Sequence, residues 1–154
     1  ENLEPIDSET AEFIKNLDKL DKIVVIGIGS SGLVANEFIY KMGELGLYKT
    51  DYAKEPYKID MLAQSMNEND LMVCLSLSGE HYNVIRGAKV AKENGAKILS
   101  ISSRKQSTLG EISDYFVKAP NYSTYGYSVS KIFPMLLCVD CICEIYCALH
   151  DSDR

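Results

Sequence analysis

Lys22-Ile-Val-Val-Ile-Gly-Ile-Gly-Ser-Ser-Gly32 decides the fold. Its first half, Lys22 to Gly27, is a β-branched run bounded by charge and glycine, the pattern of a strand buried on both faces. Its second half, Gly27 to Gly32, is a loop leading into a helix over Leu33 to Leu45, which Gly46 ends. A strand apolar on both faces needs helices on both sides of its sheet.

Outward from that unit the alternation repeats. Upstream, Asp7 and Ser8 are cap-type residues, and Ala11, Ile14, Leu17 and Leu20 form an apolar stripe, so a leading helix is expected over Asp7 to Leu20. Downstream come a weak strand, Leu47 to Ala53, a helix from Tyr57 to Met66, and the polar turn Asn67 to Asp70. Leu71 to Ser76 is a strong strand, Glu80 to Glu93 a helix ended by Asn94-Gly95, and Lys97 to Ser102 another strand. Thr108 to Ile112 is a short helix, Asp114 to Ala119 a last strand, and Tyr127 to Leu149 a long closing helix. Five strands separated by helices predict a doubly wound α/β fold. Its sheet is parallel and five-stranded, in the flavodoxin-like order 2-1-3-4-5, with helices on both faces.

The 154 residues, 46% apolar and 25% charged, supply one ordinary core, so a single domain over residues 1–154 is expected. A net charge of −6 is a poor match to a nucleic-acid backbone. Five Cys form no even disulfide framework, and no signal-peptide pattern opens the chain, so a cytoplasmic setting is expected. Pro134, Asp140 and Glu144 interrupt the longest apolar stretch, Ile132 to Leu149, which excludes it as a membrane span. The sequence opens on Glu1 rather than Met, and the expectation is a segment ahead of it.

Open parallel sheets hold ligands beyond the carboxyl ends of their strands, so the loops that follow strong strands carry the chemistry. Gly27-Ile-Gly29-Ser-Ser-Gly32 formally satisfies the dinucleotide-binding glycine pattern, with Asp51 as the acidic partner. It better suits a tight turn in which Ser30 or Ser31 caps the helix. Ser76-Leu-Ser78-Gly79-Glu80 places two hydroxyls and a glycine where a buried strand meets a helix. Unpaired amides, rotatable hydroxyl donors and close main-chain approach at Gly79 suit a phosphate monoester. Distant surface carboxylates do not prevent this, because their field is screened over roughly 10 Å.

Together, Gly27-Ile-Gly29-Ser30-Ser31-Gly32 with Ala35, and Ser76-Leu77-Ser78-Gly79-Glu80, resemble the two signatures of the sugar isomerase (SIS) domain. The resemblance runs from about Asp21 to Leu149 and includes Asn94-Gly95-Ala96-Lys97. Within that superfamily, Gly29-Ser-Ser-Gly-Leu-Val-Ala35, with Ser130-Lys131 and Val139-Asp140, looks most like the effector domain of RpiR-type transcriptional regulators. The resemblance implies a phosphosugar sensor for carbohydrate metabolism, with DNA contacted only through an N-terminal helix-turn-helix domain outside these residues. It implies that Ser31, Ser76 and Ser78 hold the phosphate while Gly79 shapes the loop. The full expected ligand set is Gly29, Ser30, Ser31, Ser76, Ser78, Gly79, Glu80, His81 and Ser130, with no cofactor and no metal. The family's usual Thr two places after the glycine is His81 here, and its usual Glu is Asn83. An imidazole that titrates near 6.5 would make binding depend on pH.

The enzyme alternative is an aldose–ketose phosphate isomerase with Glu80 or His81 as the base that removes a proton beside the carbonyl. Against that, Glu80 suits the first turn of a helix on dipole grounds alone. The arabinose-phosphate isomerases of the family carry a His-containing loop that Glu55-Pro-Tyr-Lys-Ile-Asp60 lacks, whereas a stand-alone hexulose-phosphate isomerase remains open. Cys138, Cys141, Cys143 and Cys147 fall on one helix and point two ways, so one ion cannot collect all four. Asp140, Cys143, Glu144 and Cys147 share a face, but packing is the default for such cysteines. The closing helix is apolar round most of its circumference, which predicts a homodimer or larger homo-oligomer. Tyr122, Tyr125, Tyr127, Ser128 and Ser130 precede it, either lining the sugar pocket or packing on the sheet.

Overall fold

The computed structural model describes residues 5–121 and 132–151. Five strands pair in parallel, β1 (Lys22–Ile26), β2 (Thr50–Ala53), β3 (Asp70–Leu75), β4 (Lys97–Ser102) and β5 (Tyr115–Lys118), in the expected order β2-β1-β3-β4-β5. Every residue of β3 is buried, because alternate side chains of this strand enter different cores. Met72 and Cys74 join Val24, Ile26 and Ile98 beneath α3 (Pro56–Gln64), α4 (Tyr82–Glu93) and the short α5 (Thr108–Ile112). Leu71, Val73 and Leu75 join Ile23, Val25, Leu99 and Val117 on the opposite face. There they meet α1 (Ser8–Ile14), α2 (Ser30–Glu44) and α6 (Phe133–Asp151). Burying one such Leu or Ile stabilises by about 1.5–3 kcal/mol, so the two cores together hold the sheet in register.

Several boundaries differ from the sequence expectation, each for a local reason. The leading helix stops at Ile14, and Leu17–Lys19 forms a separate 3-10 turn. Asn16, at φ −112° and ψ 22°, lies outside helical space and its side-chain amide donates to the Glu12 carbonyl at 2.9 Å. β2 starts at Thr50 rather than Leu47 because α2 ends in a left-handed turn at Gly46 (φ 84°). There the Leu47 N–H donates back to Met42 O at 2.9 Å, which holds Leu47 against the helix end. α4 begins at Tyr82, so Glu80 stands before the helix rather than in its first turn. The start expected for the closing helix, at Tyr127, lies outside the described residues.

α6 is buried on one face, through Met135, Cys138, Val139, Ile142 and Tyr146, whereas Phe133 and Leu137 are exposed. In this single chain it is therefore not enclosed all round. At the β5 edge of the sheet Ile6 bridges Val117 antiparallel, and the Lys118 N–H donates to Pro5 O at 2.9 Å. The order reverses between β1 and β3, which lie side by side with Ile26 opposite Cys74. Both strands release the chain at the same edge, and that is where a crevice opens in such sheets.

Candidate functional site

Two loops meet at that edge, and they are held differently. In the first, Gly29 is the N-cap of α2 at φ 63°, and no side chain caps the helix. Ser30 and Ser31 therefore lie within its first turn and are not the capping groups that the bland reading of this loop required. Main-chain bonds from Ser31 N to Ile28 O (3.2 Å) and from Gly32 N to Gly29 O (2.9 Å) shape the turn. Among the described residues the Ser31 hydroxyl bonds only to the Met135 sulfur of α6, at 3.8 Å, a weak acceptor. Among the described residues the exposed Ser30 hydroxyl has no partner.

The second loop turns at Gly79, where φ is 73° and an added Cβ would collide with the Ser107 side chain. Ser76 is buried, and its Oγ accepts the Gly79 N–H at 3.2 Å. Ser78 is exposed, and its Oγ accepts the Glu80 N–H at 3.1 Å. A serine hydroxyl has one proton, so both hydroxyls are oriented as acceptors toward the loop and have that proton left to donate outward. His81 is the N-cap of α4 without a side-chain capping bond. Its Nδ1 is sealed from solvent and has no hydrogen-bond partner among the described residues. Ser130 lies outside the described residues.

Glu80 is exposed, yet its carboxylate is engaged by another loop. Its oxygens accept the Thr108 N–H at 3.1 Å and the Thr108 hydroxyl at 2.5 Å. Those bonds, with a smaller contribution from the Arg104 charge, hold its carboxyl below the usual carboxylate range.

Sequence reasoning overlooked a third loop, Ser102 to Thr108, which follows β4 and backs the second. Its signal was present, since Ser102-Ser103 and Ser107-Thr108 also flank the end of a strong strand. Lys54 was overlooked as well. It is the first residue beyond β2, and its stem crosses Gly32 so closely that an added Cβ there would lie 2.6 Å from Lys54 Cβ.

Two alternatives lose ground here. Asp51 accepts its neighbour Tyr52 N–H at 2.7 Å and pairs with Lys58 at 3.0 Å, two positions short of the end of β2. That is a poor place for a ribose contact. Asp140 pairs with Lys41 at 2.5 Å, and among the described residues no three His, Cys, Asp or Glu side chains gather as metal ligands would. Burial pushes the Cys138 thiol up to about 12 and that of Cys143 up to about 11, so neither is a thiolate at neutral pH. No helix among the described residues is long and apolar enough to cross a membrane.

The SIS domain profile matches residues 16–139. The chain belongs to the SIS domain family. An uncharacterized HTH-type transcriptional regulator of Clostridium perfringens is 30% identical over 122 residues, which are 77% of this chain and 43% of that protein. The chain spans about half the length of the curated relatives it matches. Among solved structures, the Vibrio vulnificus NanR protein complexed with ManNAc-6P superposes with a TM-score of 0.83 at 21% identity, covering 96% of this chain and 57% of that one. The sugar isomerase domain of an RpiR transcription factor from Sphaerobacter thermophilus superposes with a TM-score of 0.81 at 18% identity, covering 96% and 82%. At these identities the structural likeness speaks for the SIS fold.

Proposed function

We propose that this chain, as one domain over residues 1–154, is the phosphosugar-sensing part of an RpiR-type transcriptional regulator of carbohydrate metabolism. The observation that carries the reading is the pair of hydroxyls on the second loop. Ser76 and Ser78 each accept a main-chain N–H, which reserves each O–H for a ligand oxygen. Ser31, with Ser30 and Gly29, supplies the facing side at the uncapped start of α2. A phosphate monoester, nearly dianionic at neutral pH, is the ligand class that gains most from such donors. Relatives named as HTH-type regulators, and a NanR structure holding ManNAc-6P, support the same reading.

In this reading DNA is contacted through a helix-turn-helix half outside these acidic residues, and the cytoplasm is the working compartment. The ligand acts by binding one arrangement of a homodimer better than another. Exposed Leu33 and Tyr40 on α2, with Phe133 and Leu137 on α6, supply an apolar face for the second copy. Leu137→Asp is expected to turn a dimer into a monomer in sedimentation. A wild-type chain that is monomeric at every concentration would refute the dimer.

Thermal denaturation with glucose 6-phosphate, fructose 6-phosphate and N-acetylmannosamine 6-phosphate tests the ligand class. At a hundredfold excess over Kd, binding adds about 2.7 kcal/mol and raises Tm by roughly 5–10 °C, while the parent sugars leave it unchanged. A response to NAD with none to any phosphosugar would overturn the proposal. One observation favours a second reading as an isomerase, the His81 Nδ1 that has no partner among the described residues, which leaves this imidazole free of a structural bond. Aldose–ketose interconversion by the purified chain, lost in His81→Asn, would replace the sensor reading.

A further inference from the structure

We infer that Glu80 is a positioning residue: by gripping Thr108 it fixes the main chain whose amide aims the Ser78 hydroxyl at the ligand. The inference rests on the phosphosugar reading of the same site. Its starting point is how the second loop is fastened. The Leu77 carbonyl accepts from Ser103 N (3.0 Å), Ser103 Oγ (2.6 Å) and Ser102 Oγ (3.1 Å). The Gly79 carbonyl accepts from Leu109 N at 3.0 Å, and Gly79 lies against the Ser107 side chain. Glu80 completes the series through its side chain, on the two donors of Thr108.

Of the four residues Leu77 to Glu80, only Ser78 makes no hydrogen bond to the third loop or to Leu109 just after it, among the described residues. It is the exposed residue between fixed neighbours. The Glu80 N–H meets its oxygen at 3.1 Å, so the direction of that N–H decides where the Ser78 proton can point. A loop held on both sides of its donor needs no reorganisation when an anion arrives, and that lowers the cost of binding. The grip requires a carboxylate. Both Thr108 partners are donors, and a glutamine at position 80 would face one of them with its own NH2 group. An aspartate, one methylene shorter, would not span the same gap.

A catalytic base at this position predicts something different. The bond to the Thr108 hydroxyl engages the charged form of the carboxylate and weakens it as a proton acceptor. Glu80 is then needed for affinity and has no separate part in turnover.

The test is titration calorimetry of the full chain with fructose 6-phosphate, N-acetylmannosamine 6-phosphate and inorganic phosphate, with Tm recorded for every variant. Expected are a loss of about tenfold in affinity for Glu80→Gln and for Ser78→Ala, the scale of one hydrogen bond to a charged group. The double variant should lose little more than either single one, because both act through one donor. Thr108→Ser keeps both donors and should bind as wild type, whereas Thr108→Val should fall with Glu80→Gln. A merely structural role would lower Tm without coupling Glu80 to Ser78. Wild-type affinity in Glu80→Gln, or additive losses in the double variant, would overturn the inference and leave the phosphosugar reading standing. Failure of every probe to bind wild type would sink both. Turnover of an aldose phosphate that vanishes in Glu80→Gln at unchanged affinity would make Glu80 a base and also overturn the inference.

Discussion

The first and second loops leave neighbouring strands at one edge, yet they are held by different means. The second is laced to the third loop through Leu77, Gly79 and Glu80, so its hydroxyls stand in place before a ligand arrives. Among the described residues the first has its own turn bonds, the close approach of Lys54 to Gly32 and a soft contact from the Ser31 hydroxyl to the Met135 sulfur of α6. On the proposed reading the second loop is a preformed half-site and the first the adjustable one, its contact made to the helix that carries the exposed Phe133 and Leu137. A sensor needs both qualities, because affinity comes from the part that stays still and signalling from the part that moves.

The sharpest way to break this contrast is at the positive-φ glycine of each loop. Gly79→Ala adds a collision with Ser107 to the strain of φ 73°, and is expected to cost on the order of 3 kcal/mol or more and abolish ligand response. Gly29→Ala meets nothing within 4 Å and carries the strain alone, about 1–3 kcal/mol. Denaturant melts of the two variants compare them directly. Equal losses would mean that the third loop does not brace the second.

A smaller effect separates the serines. Ser76→Ala removes a buried acceptor from Gly79 N and should lower stability by about 1 kcal/mol as well as weakening binding. Ser31→Ala removes only a contact to sulfur, so it should weaken binding with Tm nearly unchanged. Parallel thermal and calorimetric measurements distinguish the two outcomes.

The smallest effect is in acid. The carboxyls of Glu80, on Thr108, and of Asp7, capping α1 through Thr10 N at 2.7 Å, are both held below their ordinary values. A depressed folded-state pKa gives a contribution that is complete above the ordinary values of 4.5 and 3.8 and is lost as pH falls through the folded value. Stability should therefore fall only as pH drops below these ordinary values, and Asp7→Asn should remove part of that slope. An unchanged slope would mean that the cap contributes nothing.

Much of this was legible from residue order. β1, β3 and β4 read directly because strands buried on both faces are continuous apolar runs, and the loops after them carry their chemistry in plain composition. β2 did not, since Tyr48-Lys49-Thr50-Asp51 is a polar edge segment whose start is set by how α2 unwinds at Gly46. The role of Glu80 was illegible for a different reason. Its partner Thr108 lies on another strand's loop, and no local pattern encodes which two loops of a parallel sheet will touch. Lys54 was hidden likewise, its place against Gly32 being created by the pairing of β1 with β2.

The most direct test is a crystal structure grown with a phosphosugar that raises Tm. The account predicts phosphate oxygens within about 3 Å of the Ser31, Ser76 and Ser78 hydroxyls, with Glu80 still on Thr108. A phosphate bound away from these loops, or Ser76 and Ser78 turned from it, would contradict the account.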